Sequence, residues 1–206
     1  MPQVSEQIGF SVSRETAERL EAFVRTFEAW NASINLVSRR DAAHIWTRHI
    51  RDSAQLFDLR GQGDRHWVDI GTGGGFPGLI IAILSADMAP NLKVTLVESD
   101  HRKAAFLRAA ALACNVYPKI LAQRAEAIEP LNADILSARA LAPLSRLLNH
   151  ADRHLAPHGR ALFPKGARSD AELASALATW QFTVQKILSQ TDPDGVVLAI
   201  EGVRRA

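Results

Sequence analysis

The stretch from His66 to Leu84 constrains this sequence more than any other. A short apolar strand ends in Val68-Asp69-Ile70 and runs directly into Gly71-Thr72-Gly73-Gly74-Gly75-Phe76-Pro77-Gly78, which holds five glycines within eight residues. An apolar helix follows. Glycines at such a turn let backbone amides approach a ligand that a Cβ would exclude, and the helix N-terminus behind them favours a polar or negative group. The pattern predicts a nucleotide-like cofactor loop.

Two cofactor classes fit this loop. The register Gly73–Gly78 satisfies G-x-G-x-x-G, the dinucleotide fingerprint, and Glu98 lies at about the expected distance beyond it. However, the glycines begin earlier, at Gly71, in a G-x-G-x-G pattern, and the loop is one residue longer than a tight pyrophosphate turn needs. Asp69 stands where a pyrophosphate would be repelled and a cationic sulfonium would not. These details favour S-adenosylmethionine (AdoMet), and a nicotinamide-dependent oxidoreductase is the alternative.

Composition limits the class of protein. The chain has 206 residues, of which 47% are hydrophobic, enough for one sizeable core. The single cysteine, Cys114, excludes an intrachain disulfide and suits a reducing compartment. No signal peptide pattern stands at the N-terminus, and the longest apolar run, Leu79 to Leu84, is far too short to span a bilayer. We therefore expect a cytoplasmic monomer without membrane contact.

Positive charge is clustered, although the net charge is only +2. Six lysines and arginines but one acid, Asp152, lie between Arg139 and Arg168, and five lysines and arginines with no acid lie between His101 and Arg124. Clustered cations neutralise phosphates, while any single one of them can simply solvate a helix face. We expect RNA to lie across a rim formed by Arg39, Arg40, Arg48, Arg51, Arg139, Lys165 and Arg168.

Residues 1–64 are predicted to form an N-terminal helical cap. Ser13 is expected to cap a helix that continues to about Ala32, with an apolar stripe at helical spacing. A second helix is expected to begin after Ser38 and to bury one face as far as Phe57. The flexible segment Gly61–Asp64 joins this cap to the second domain, residues 65–206.

Strands and helices alternate from Arg65 onward, which predicts a parallel sheet with helices on both faces. The strands are predicted near Trp67–Ile70, Lys93–Glu98, Lys119–Leu121, Asp134–Arg139, Ala161–Pro164, Phe182–Leu188 and Val196–Glu201. The turn Thr191–Gly195 makes the last two antiparallel. We therefore predict an α/β, Rossmann-like, mostly parallel seven-stranded sheet ending in an antiparallel hairpin, as in class I AdoMet-dependent methyltransferases.

Further candidate site residues follow the strands of this sheet. Glu98 is expected to accept both ribose hydroxyls of the cofactor, because it ends the strand itself. Asp100, two residues on, is the alternative, unless it only caps the next helix. Arg124-Ala125-Glu126 should pass the adenine. Arg139 should face the methionine end of the cofactor, unless it forms a salt bridge at the sheet edge. No metal-ligand spacing occurs, and the column His150, His154 and His158 is interpreted as a solvated helix face.

An ordered set of motifs resembles one family, the bacterial ribosomal RNA small subunit methyltransferase G, also called glucose-inhibited division protein B. The motifs are Asn35-Leu36, His49-Ile50-Arg51-Asp52-Ser53, Asp69 to Gly78, Arg124-Ala125-Glu126, Arg139 to Leu144 and Lys165-Gly166. The resemblance implies AdoMet-dependent methylation of N7 of guanine 527, in the 530 loop of 16S rRNA. It also implies that the cofactor contacts Gly71, Phe76, Ala125, Glu126 and Arg139. Gly73, in the same loop as Gly71, is a further candidate contact. Phe76 replaces the more usual leucine.

Methylation at N7 requires no general base, because this nitrogen exposes a lone pair. Catalysis then rests on positioning, and Arg139 and Lys165 are the candidates for it. Methylation of another RNA or substrate, and a non-enzymatic RNA chaperone with a methyltransferase fold, are further alternatives. The sequence leaves open whether naked rRNA or an assembled small ribosomal subunit is the substrate.

Overall fold

Seven strands form one sheet in the described part of the chain. The structure, a computed structural model, describes residues 2–9 and 11–206, apart from the side chains of residues 2, 3, 39 and 40. The strands are β1 His66–Ile70, β2 Lys93–Val97, β3 Lys119–Leu121, β4 Ala133–Ser137, β5 Leu155–Lys165, β6 Trp180–Leu188 and β7 Val196–Arg205. Their order across the sheet is β3-β2-β1-β4-β5-β7-β6. The first five pair in parallel, and β7 pairs antiparallel with both β5 and β6. The predicted fold is confirmed.

Helices cover both faces of the sheet, and the central strands β1, β2 and β4 are buried on both faces. Alternate strand residues point to opposite sides, so that Trp67 and Leu96 enter one core and Val68 and Val97 enter the other. The helices of the first core are α5 (Gly78–Met88) and α6 (His101–Ala113), and those of the second are α7 (Leu144–His154) and α8 (Ser169–Leu177).

The N-terminal helices pack onto the first of these cores. They are α1 (Pro2–Ile8), α2 (Arg14–Ile34), α3 (Arg39–Ala42), a π-helix (Ile45–Ile50) and α4 (Arg51–Phe57). The Ser13 hydroxyl accepts a hydrogen bond from the Thr16 amide at 3.1 Å and caps α2, as predicted. Leu20, Phe23 and Phe27 of α2 are fully buried among residues of α5 and α6. The domain boundary after residue 64 stays a prediction.

The continuous helix predicted from Ser38 to Phe57 is wrong. Ser38 does cap α3, but the α-helix ends at Ala42 and a π-helix follows. Side chains engage the carbonyls of this wider turn: Arg139 donates to the Arg48 carbonyl at 3.1 Å, and Ser53 donates to that of His49 at 2.6 Å. Because Arg139 is remote in sequence, the local hydrophobic pattern carried no signal for this change.

A buried hydrogen-bond network fixes the turn between β1 and α5. One oxygen of Asp69 accepts from the Ser137 hydroxyl at 2.7 Å, and the other accepts from the Gly78 amide at 3.0 Å. Ser137 accepts from the Trp67 indole at 2.8 Å. A Cβ on Gly78 would lie 2.6 Å from the Cβ of Asp69, so only glycine permits this approach. Burial raises the pKa of Asp69 to about 6 although both donors oppose the shift. Asp69 therefore holds the helix start and does not face a ligand.

We expect Asp69→Ala to lower the free energy of unfolding by about 2–5 kcal/mol, because the Gly78 amide and the Ser137 hydroxyl both lose a buried acceptor. The exposed Glu129→Ala serves as control and should change it by less than about 0.5 kcal/mol. Urea unfolding measures both variants. Equal stability of the two would show that the carboxylate does not hold the turn.

Candidate active site

The glycine loop leaves the carboxyl end of β1 and lies beneath the loop that follows β4. The Gly71 amide donates to the Val97 carbonyl at 2.8 Å, which ties the loop to β2. Gly71 has φ +71°, and a Cβ there would lie 2.6 Å from Cδ1 of Leu141. Both the conformation and the space therefore require glycine. The result is a tight glycine cradle that is largely buried and that the Leu141 side chain covers at Gly71.

Glu98 stands directly after β2, beside this cradle. Its Oε2 accepts from the Gly73 amide at 2.9 Å, and its Oε1 accepts from the Asp100 amide at 2.8 Å. Asp100 instead caps α6, where its Oδ1 accepts from the amides of Arg102 and Lys103 at 2.8 and 3.2 Å. The two candidate carboxylates thus have different environments, and Glu98 is the one that contacts the glycine loop.

A second part of the site surrounds the turn Ala125–Ala127, which follows β3. A cavity of about 140 Å³ is lined by Gly71, Leu141, Ala125, Glu126 and His150, among others. Ala125 is buried, whereas the Glu126 side chain is 62% exposed. The structure therefore brings Gly71, Ala125 and Glu126 to one cavity, as the predicted cofactor contacts require.

The interpretation of the histidine column as a solvated helix face is wrong for two of its three members. His150 is only 9% exposed and His154 is fully buried, and the Nε2 of His154 lies 3.0 Å from the Ala125 carbonyl. Their spacing from Leu147 and Ala151 places them on the buried stripe of α7, a signal that the sequence contains. His158 lies on β5, where it pairs with Asp134.

A larger cleft of about 670 Å³ opens where the cap, the loop after β4 and the turn between β6 and β7 meet. Four of the cations predicted to bind RNA line it: Arg48, Arg139, Lys165 and Arg168. Arg51 does not line it. Its guanidinium packs against Gly9, where an added Cβ would lie only 3.1 Å from Nε of Arg51. The side chains of Arg39 and Arg40 lie outside the described part of the chain.

Three of these four cations form ion pairs within the cleft. Arg139 contacts Asp52 at 2.9 Å, Lys165 contacts Glu172 at 2.8 Å, and Arg48 contacts Asp41 at 3.4 Å. Arg168 is exposed just before α8. The rim is therefore a mixed surface of paired charges, which composition alone could not reveal.

Lys165 holds the loop after β4. Its Nζ donates to the Ala142 carbonyl at 3.0 Å, and Glu172 accepts from the Leu144 amide at 2.7 Å. Burial opposes ionisation of Glu172, but the hydrogen bonds that it accepts from Lys165 and from the Leu144 amide leave its pKa below the ordinary value. The loop that carries Leu141 is consequently fixed at its C-terminal end by this pair.

Arg139 faces the cap. Its guanidinium donates to the Asp52 carboxylate, to the Arg48 carbonyl and to Nδ1 of His49. It also lies over the ring of Phe76, with Cζ 5.4 Å from the ring centroid. The salt-bridge alternative for Arg139 is therefore present, and its partner belongs to the cap.

Phe76 buries its side chain between the glycine loop and the cap. Its ring contacts Phe23 and Phe27 at centroid distances of 5.4 and 5.7 Å, and it stacks on His49 at 4.9 Å. Burial, followed by the charge of Arg139, lowers the pKa of His49 to about 4. His49 is therefore neutral near pH 7.

The described residues contain neither a metal-ligand cluster nor a membrane-spanning helix. No group of three or more histidine, cysteine or acidic side chains in residues 2–9 and 11–206 converges as a metal site. In the same part of the chain, none of the helices has both the length and the apolar character needed to cross a bilayer.

The family model described as rRNA small subunit methyltransferase G matches residues 16–194. The chain belongs to this family. The ribosomal RNA small subunit methyltransferase G of Ruegeria pomeroyi is 51% identical over 195 residues, which cover 95% of each chain. The motifs from which the resemblance was inferred therefore belong to a similarity that extends over nearly the whole sequence, and an oxidoreductase is no longer an alternative.

Solved structures agree on the fold at low sequence identity. A ribosomal protein L11 methylase from Lactobacillus delbrueckii subsp. bulgaricus superposes with a TM-score of 0.59 at 19% identity, covering 75% of this chain and 78% of that one. A point mutant of MtNAS, in complex with S-adenosylmethionine, gives 0.57 at 15%, with coverages of 91% and 77%. The fold of this methyltransferase G family member is that of the class I AdoMet-dependent methyltransferases.

Proposed function

We propose that this chain transfers a methyl group from AdoMet to N7 of guanine 527, in the 530 loop of 16S rRNA, as a cytoplasmic monomer acting on the small ribosomal subunit. The observation that carries the proposal is that Arg139, which lines the charged cleft, lies over the ring of Phe76 in the glycine loop, so that the two parts of the site adjoin. Membership of the family supports an rRNA substrate. The base, the atom and the nucleotide position come from the family resemblance.

The residues of the first part of the site fit AdoMet. The glycine loop runs beside Glu98, whose carboxylate accepts from the Gly73 amide and would supply acceptors for ribose hydroxyls. Ala125 and Glu126 line the adjoining cavity, where adenine would bind. The structurally similar MtNAS mutant was solved in complex with this cofactor. Bound AdoMet supplies an electrophilic methyl group.

Three titratable side chains of the cleft are already engaged by neighbouring groups, which favours an acceptor that needs no deprotonation. His49 lines the cleft, but Arg139 donates to its Nδ1, so that the neutral ring carries its proton on Nε2 and has no lone pair free to act as a base. Asp52 and Glu172 are held in ion pairs. Guanine N7 exposes a lone pair of its own, so the chain needs only to position the base.

RNA phosphates would then contact the outer part of the cleft. Arg48 is more than half exposed despite its contact with Asp41, and Arg168 is exposed as well. Lys165 and Arg139 lie deeper and hold loops, which makes them positioning groups in this proposal. Of the remaining predicted RNA contacts, Arg51 lies outside the cleft, and Arg39 and Arg40 belong to the neighbouring cap helix.

Chemical mapping of the methylated base tests the proposed function. Small subunits and naked 16S rRNA from a strain lacking this gene are incubated with the chain and AdoMet, and borohydride and aniline then cleave the RNA at N7-methylguanosine. We expect a single new cleavage at guanine 527, absent without AdoMet. Methylation of another base, or of an atom that leaves the RNA resistant to cleavage, would contradict the proposal.

We expect Glu98→Ala to weaken AdoMet binding by ~1–3 kcal/mol, because the ribose hydroxyls lose an acceptor and the Gly73 amide loses its partner. Asp100→Asn is the matched control, since an asparagine oxygen still accepts at the α6 cap. Calorimetry with AdoMet measures both. If Asp100→Asn lowered the affinity and Glu98→Ala did not, the ribose acceptor would be Asp100.

A further inference from the structure

Arg139 is held by the cap, although it belongs to the loop after β4. Its guanidinium has three acceptors, all from the short segment Arg48–Asp52: a carbonyl at 3.1 Å, a carboxylate oxygen at 2.9 Å and an imidazole nitrogen. The side chains of Arg139 and Asp52 are each 16% exposed. Charged hydrogen bonds of this kind, largely removed from water, fix both distance and direction.

Asp52 uses its second oxygen to hold the opposite wall of the cleft. Oδ1 accepts from the Thr191 hydroxyl at 2.9 Å and from the Gln55 amide at 2.7 Å. Gln55 in turn accepts from the Gln190 backbone at 2.9 Å. One carboxylate thus connects the cap, the loop after β4 and the turn between β6 and β7, which are the segments that surround the cleft.

His49 orients the same guanidinium against the glycine loop. Since Arg139 donates to Nδ1, the proton of the neutral imidazole is on Nε2, which is buried with no hydrogen-bond partner among the described residues. The ring stacks on Phe76 at an interplanar angle of 27°. A neutral histidine contributes no charge, so Asp52 is the group that balances the Arg139 charge at this point.

We propose that Asp52 is a positioning residue for methyl transfer: it sets the place of Arg139 beside the glycine loop. This inference rests on the proposed function. Without the carboxylate, the guanidinium keeps a carbonyl and a neutral imidazole as acceptors, and it turns toward the open cleft and solvent. The reaction then loses the alignment of the cofactor loop with the base, an error that costs on the order of 100-fold in rate for a displacement of about 1 Å.

The test compares Asp52→Asn with a matched pair elsewhere. Asp64 contacts Arg160 at 2.6 Å, with side-chain exposures of 13% and 20%, and joins the segment before β1 to β5 away from the cleft. We expect Asp52→Asn to lower the single-turnover rate on small subunits by ~30–100-fold and Asp64→Asn to lower it by less than threefold. Thermal unfolding is recorded for both, so the rates refer to folded protein.

A double-mutant cycle separates positioning from general destabilisation. If Asp52 acts through Arg139, the variant Asp52→Asn/Arg139→Gln is no slower than Arg139→Gln alone, because groups that act as a unit are not additive. Three results would overturn the proposal. The rate losses of the two single variants could multiply in the double variant, Arg139→Gln could be as fast as the wild type, or Asp52→Asn and Asp64→Asn could lose the same factor in rate. Should Asp52→Asn fail to fold, Asp52→Glu replaces it, with an intermediate loss expected and an unchanged rate contradicting the proposal.

The same experiment distinguishes this inference from the proposed function. The rate is measured as total methyl incorporation, so it is valid whichever base is the acceptor. If the wild type transfers no methyl group to rRNA, the proposed function fails. AdoMet affinity is then measured across the same cycle, and additive effects of Asp52→Asn and Arg139→Gln on it would overturn the positioning role independently.

Discussion

The packing of Phe76 against the cap is the contact on which the site depends. The glycine loop, Gly71–Gly78, has only three side chains with which to hold its shape, those of Thr72, Phe76 and Pro77. Phe76 lies among Phe23 and Phe27 of α2 and stacks on His49 of the π-helix. Aromatic pairs of this kind contribute about 0.5–1.5 kcal/mol each beyond the area they bury. The cap is therefore part of the glycine loop's structure.

Two buried carboxylates complete this arrangement from different sides. Asp69 fixes the end of the loop by accepting a hydrogen bond from the Gly78 amide, and Glu98 fixes its middle by accepting one from the Gly73 amide. On the cap side, Asp52 holds Arg139. The backbone of the site is thus held by hydrogen bonds to carboxylates, which suits the proposed methylation at N7, a reaction that would need alignment and no proton transfer.

The centre of the sheet could be predicted from the sequence because β1, β2 and β4 are buried on both faces and form short apolar runs between glycine, proline and helical segments. Glu98 and Ala125 were predictable for the same reason, since their positions follow from where strands end. The π-helix and the ion pairs were not, because they depend on contacts such as Arg139 with Asp52, which lie 87 residues apart. The burial of His150 and His154 could be predicted from the sequence, because they lie three and seven residues after Leu147, on the same helical face.

Hydrogen–deuterium exchange tests most directly whether the cap is part of the cofactor site. Exchange is followed in the chain alone and with saturating AdoMet, in the absence of RNA. The account predicts slower exchange in the glycine loop and, together with it, in the π-helix segment Ile45–Ile50, because Phe76 and Arg139 connect the two. Protection confined to the loop, with exchange of the cap unchanged, would contradict it.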